Sequence, residues 1–157
     1  MSKSQQQQIQ TLVDRAISSI YKGKGGPQFS IIVTEDPEAV RDQIERAMGG
    51  DRQTIQITIN VADTEDEVVA ALSKAIGIEF DGDIAEQVDH ITDMIHDRDL
   101  DTLVCLIVWG ADNLNFETLG VIHFIMSGGF IPTILVGTPL LDLEMIRGRG
   151  IRDQLVI

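Results

Sequence analysis

Three places where an apolar run breaks into polar residues are where this sequence could hold chemistry. The run Phe29–Val33 ends in Thr34-Glu35-Asp36-Pro37-Glu38, Leu103–Val108 ends in Trp109-Gly110-Ala111-Asp112-Asn113-Leu114, and Ile131–Val136 ends in Gly137-Thr138-Pro139. A loop that cradles phosphate needs glycines, so that backbone N–H groups can curl around the anion, and a lysine to meet the outer phosphates. The first turn has neither, and it sets Glu35, Asp36 and Glu38 at the start of a helix. Acids there suit the helix dipole and exclude phosphate, so a capped helix start is the expectation. A metal-dependent phosphate site wants one carboxylate at a strand end to hold magnesium and a second to polarise water. Trp109 and Gly110 stand at those positions. The tryptophan ring is expected to fill a crevice beside Glu35 and Asp36, and Asp112 to cap the following helix. The third turn sets Thr138 near the same crevice, with a plain tight turn as the simpler reading.

The remaining candidates are weaker. Arg147-Gly148-Arg149-Gly150-Ile151-Arg152 is the basic cluster of the second half, and Arg147, Arg149 and Arg152 are candidate contacts for an acidic surface on a partner or a second copy. His90 and His96 are too far apart to share a helix face as i and i+4, and Asp81-Gly82-Asp83 lacks the spacing of a calcium loop and reads as a helix cap. No metal site, cofactor or catalytic residue is expected. Cys105 lies inside an apolar run and reads as a small buried hydrophobe.

Composition narrows the classes. At 157 residues with 43% hydrophobic side chains, the chain is long enough for one globular core, and with 4% aromatics that core is aliphatic. The formal net charge of -13 repels a phosphate backbone, so nucleic acid is expected to be excluded as a partner. The N-terminus Met1–Gln8 is polar and lacks the apolar core of a signal peptide. No apolar run approaches the ~20 residues of a membrane span, so the expected location is the cytoplasm.

The elements that must position these turns follow from periodicity. Residues 1–8 are expected to be a disordered tail and 9–157 a single α/β domain. Ile9, Leu12, Val13, Ala16, Ile17 and Ile20 make a helical stripe. After the strand Phe29–Val33 comes a helix from Asp36-Pro37 with Val40, Ile44, Ala47 and Met48 inward. Thr54–Ile59 alternates, as an edge strand does. Asp63 or Thr64 caps a helix closed by Gly77, and a further helix carries Ile84, Val88, Ile91 and Ile95. Leu103–Val108 is apolar throughout, as a central strand covered on both faces is. A helix through Phe116–Met126, a strand Ile131–Val136, a short helix around Leu140–Ile146 and a strand Leu155–Ile157 complete the alternation. Alternating strands and helices predict a three-layer sandwich with a mainly parallel five-stranded sheet.

Taken in order, these residues resemble the AAA+ ATPases, especially the bacterial branch serving secretion, transposition and replication initiation. Phe29–Val33 stands where that family has its first strand. Leu106-Ile107-Val108-Trp109-Gly110-Ala111-Asp112-Asn113-Leu114 is similar to its acidic motif, with Trp109 and Gly110 in place of the two catalytic acids. Ile134–Leu141 is similar to its fourth strand and polar sensor turn, and Arg147, Arg149 and Arg152 fall where arginines precede its fifth strand. The resemblance covers roughly residues 29–157 and implies an AAA+/P-loop-like fold with no lid domain and with degenerate nucleotide-site positions at Glu35, Asp36, Trp109, Gly110 and Thr138. The expected function is a non-catalytic interaction or regulatory module whose partner is another protein or a second copy. Two alternatives are a divergent nucleotide hydrolase using Thr34, Thr138 and Asp112, and an unrelated flavodoxin-like signalling module. Strand order separates the last, because AAA+ domains set the first strand between the fifth and the fourth.

Overall fold

Strands that are apolar on both sides must be covered on both sides, and the handedness of the crossovers decides by what. The computed structural model describes residues 3–21, 29–47, 53–58, 64–79, 83–96, 104–129, 133–148, 150–151 and 154–156. Its helices are α1 (Lys3–Tyr21), α2 (Pro37–Ala47), α3 (Glu65–Ile76), α4 (Ile84–His96), α5 (Phe116–Gly129) and α6 (Leu143–Gly148). The strands are β1 (Phe29–Val33), β2 (Gln53–Thr58), β3 (Val104–Trp109), β4 (Thr133–Gly137) and β5 (Gln154–Val156). They form one parallel sheet in the order β2-β3-β4-β1-β5. The step from β1 to β2 runs one way across the sheet and the later steps run the other way. Right-handed crossovers therefore put α2 on one face and α3 to α6 on the opposite face.

The two cores match that division. One joins Val68, Leu72 and Ile91 of α3 and α4 and Leu119, Ile122 and Ile125 of α5 to Ile31, Leu106, Val108 and Leu135 of the sheet. The other joins Val13 of α1 and Val40 and Ile44 of α2 to Ile32, Ile107, Trp109, Ile134 and Val136. Neighbouring strand residues alternate between the cores, as a period of two demands. β1 lies between β4 and β5, the order that the AAA+ resemblance implies. A flavodoxin-like sheet has a different order, so that alternative is excluded.

Local signals account for most element ends. Thr64 Oγ1 accepts from Glu67 N at 3.3 Å and starts α3. Gly77, at φ 83°, ends it, with Ile78 N donating to Ser73 O. Asp83 caps α4 through Glu86 N at 2.8 Å. β2 is an edge strand, as its alternation predicts. One expectation needs correction: residues 3–8 are the first turns of α1 and not a disordered tail. Glutamine is a good helix former, and the stripe at Ile9 and Val13 docks the helix, so it extends back through the polar residues.

Candidate functional site

The three turns identified in the sequence come together at the carboxyl edge of the sheet, where ligands bind in open α/β folds. They are tied to one another by hydrogen bonds. Thr34 N donates to Gly137 O at 2.9 Å, which joins the turn after β1 to the end of β4. Asp36 N donates to Thr34 Oγ1 at 3.1 Å, and Asp36 Oδ1 accepts from Ala39 N at 3.2 Å. Asp36 is therefore the N-cap of α2, with Pro37 at its first position, as expected. Glu35 and Asp36 are exposed.

After β3 the chain turns sharply. Gly110 adopts a left-handed backbone at φ 68° and ψ 37°, which admits a single 3₁₀ turn at Ala111–Asn113. The expected helix-capping role of Asp112 is a correction. Its carboxylate instead crosses to the turn after β4, accepting from Thr138 N at 2.8 Å and from Thr138 Oγ1 at 2.6 Å. Asn115 caps α5, with its Oδ1 accepting from Thr118 N at 2.8 Å and its own N–H donating to Thr118 Oγ1 at 3.0 Å. Thr138 Oγ1 also accepts from Leu140 N at 3.2 Å, so its hydroxyl serves both turns. Gly137 is required here: a Cβ on it would stand 2.5 Å from Asp112 Oδ1 and 3.3 Å from Leu141.

Trp109 is buried, 3% exposed, as expected of its ring. Its ring belongs to the core under α1 and α2, with the Arg41 guanidinium carbon 4.7 Å from the ring centroid. The reason is strand parity: Trp109 shares the face of Ile107, whereas Leu106 and Val108 face the other helix layer. Among the described residues, Trp109 Nε1 finds no hydrogen-bond acceptor.

Of Thr34, Thr138 and Asp112, the structure pairs Thr138 with Asp112 directly and ties Thr34 to their turn through Gly137. Arg147 is exposed at the end of α6, and Arg149 and Arg152 lie outside the described residues, as does the side chain of Cys105. No group of three or more metal-ligating side chains occurs among the described residues, and no described helix is long and apolar enough to cross a membrane. The Asp112–Thr138 pair spans 26 residues of sequence, so no local pattern reveals it. Its one sequence signal is a glycine directly before Thr138.

No protein-family model and no curated protein sequence matches this chain. Solved structures do share its fold. The ORC1 protein of Aeropyrum pernix, in complex with DNA, superposes with a TM-score of 0.64 at 14% identity, over 93% of this chain and 44% of that one. A chain of the Drosophila ORC assembly bound to AT-rich DNA and Cdc6 gives 0.64 at 13% identity, over 99% and 58%. A chain of the assembly on GC-rich DNA gives 0.57 at 12% identity, over 100% and 59%. The likeness is one of fold, and this chain spans about half the length of these neighbours. One expectation falls with this finding. Nucleic acid was to be excluded by net charge, yet each of these neighbours stands in a complex with DNA. Net charge is a sum over the whole chain, whereas phosphate contact depends on where a few basic groups or amides sit.

Proposed function

We propose that this chain is a non-catalytic AAA+-like domain that works through protein–protein contact in an assembly associated with nucleic acid. The observation that carries the reading is that the turns at the sheet edge are closed on themselves. The backbone N–H groups of Thr34, Asp36 and Ala39, which a phosphate would need, already donate within the protein. The exposed Glu35 and Asp36 repel an anion at the same place. The residues present do not fit a nucleotide phosphate. Gly110 has a left-handed backbone where the resemblance implies an acid, and Trp109 is sealed into the core under α1 and α2. A hydrolase built on Thr34, Thr138 and Asp112 is less well supported, because both Asp112 oxygens accept from Thr138.

The assembly part of the reading rests on the fold neighbours, which stand in complexes with DNA and, in Drosophila, with Cdc6. On this reading residues 9–157 make one α/β domain that works in the cytoplasm. The exposed Arg147, with Arg149 and Arg152, contacts an acidic partner surface. The test is a phosphate-release assay with magnesium and ATP, run with and without duplex DNA. Background rates in both are expected, and turnover above background in either overturns the non-catalytic reading.

A further inference from the structure

A row of unpaired backbone N–H and C=O groups at a sheet edge is a template for another strand. Proteins blunt such edges with lysine, proline, bulges or very short strands. The two edges of this sheet differ in that respect. β5 is only three residues long. β2 runs for six, Gln53-Thr54-Ile55-Gln56-Ile57-Thr58, with no charge and no proline. Its register with β3 is unbroken from Gln53↔Val104 to Thr58↔Trp109, so no bulge twists the edge away. Among the described residues no strand pairs with its far side.

The residue pattern of β2 selects the occupant. A twofold axis perpendicular to the sheet sets β2 antiparallel to β2 of a second copy. Positions of like parity must then oppose each other, because outward-pointing backbone groups recur at every second residue. Two registers of that kind overlap the strands almost fully. The one centred on Ile55 opposes Gln53 to Ile57 and Thr54 to Gln56, which mixes apolar with polar. The one centred on Gln56 opposes Thr54 to Thr58, Ile55 to Ile57 and Gln56 to Gln56. Each position then meets its own kind, and such cross-strand pairs are the unit of sheet stabilisation. The layers agree as well. Ile55 and Ile57 are in register with Leu106 and Val108, which belong to the core under α3 to α5. The axis keeps that layer on one side of the sheet in both copies.

We propose that β2 pairs with β2 of a second copy, antiparallel and centred on Gln56, to make one continuous sheet across a twofold axis. The proposal gives the interaction module described above a second copy as its partner and rests on that reading. ATP turnover would overturn the module's non-catalytic character and leave the dimer to be decided by its own result.

The experiment is sedimentation equilibrium of the whole chain from micromolar to submillimolar concentration. A monomer–dimer equilibrium is expected, tighter at higher salt, because two chains of net charge -13 repel until they are screened. Gln56→Lys should weaken it about tenfold or more, since it opposes two lysines at the axis. Gln56→Cys should cross-link two copies in oxidised glutathione, because directly opposed residues have Cα atoms about 4.5–5.5 Å apart, within disulfide reach. Thr54→Cys should not, because its mate lies opposite Thr58, about 13 Å along the strand. The unsubstituted chain, with Cys105 as its one cysteine, is the control. Unchanged emission of Trp109 in each variant verifies folding. A monomer at every concentration overturns the proposal. So does a dimer that Gln56→Lys leaves intact, a dimer that salt weakens, or cross-linking of Thr54→Cys equal to that of Gln56→Cys.

Discussion

Replacing Gly137 by alanine adds one methyl group at the point where the turns after β3 and β4 meet. The new Cβ would lie 2.5 Å from Asp112 Oδ1, roughly an ångström inside ordinary contact, and 3.3 Å from Leu141 Cβ and Cδ2. Gly137 is in register with Val33 of β1, and its carbonyl holds Thr34 N, so the strand cannot back away without loosening the sheet. The carboxylate must move instead. A shift of that size takes its 2.6 and 2.8 Å contacts with Thr138 beyond hydrogen-bond range. Hydrogen bonds to a charged group contribute about 1.5–3 kcal/mol each, and the half-buried setting argues for the low end. The expected loss is therefore about 2–3 kcal/mol for Gly137→Ala and about the same for Asp112→Ala. The two are not independent, because removing the carboxylate removes the clash. Gly137→Ala in an Asp112→Ala background should cost about 1 kcal/mol or less, leaving a coupling of about 1.5–2 kcal/mol. Urea unfolding followed by the emission of the single tryptophan measures all four corners of the cycle. Additivity within about 0.5 kcal/mol would refute the Asp112–Thr138 clamp.

Thr138→Val should cost about 1–2 kcal/mol and Thr138→Ser little, read in the same unfolding assay, because the hydroxyl donates to Asp112 and accepts from Leu140 N. Trp109→Asp should cost about 3–5 kcal/mol by thermal and urea unfolding, from lost packing in the core under α1 and α2, and phosphate release should stay at background. Gly110→Ala should cost about 1–2 kcal/mol for the left-handed backbone, with Gly110→Asn closer to neutral by differential scanning calorimetry; equal losses would argue against that conformation.

Where the fold was legible, the signal was local. The continuous apolar run at Leu106–Val108 marks a strand covered on both faces, and the alternation of Thr54–Thr58 marks the edge. Asp36-Pro37, Thr64 and Asp83 announce helix starts that the hydrogen bonds then show. What stayed hidden was relational. The burial of Trp109 could be read, whereas its packing under α1 and against the Arg41 guanidinium could not. Asp112 has the residue type of a helix cap, and Asn115 takes that role because α5 starts at Phe116, after a 3₁₀ turn. The helicity of Lys3–Gln8 comes from docking at Ile9 and Val13, which composition does not reveal. The net charge of -13 is likewise a total without a map, and it excludes no nucleic acid in a fold shared with chains found on DNA.

The most direct test of the non-catalytic reading is titration calorimetry of the whole chain with ATP and magnesium. The closed turns at Thr34–Asp36 and at Asp112–Thr138 predict no saturable heat through the micromolar range. Saturable micromolar binding, abolished by a substitution at Thr34 or Thr138, would contradict it.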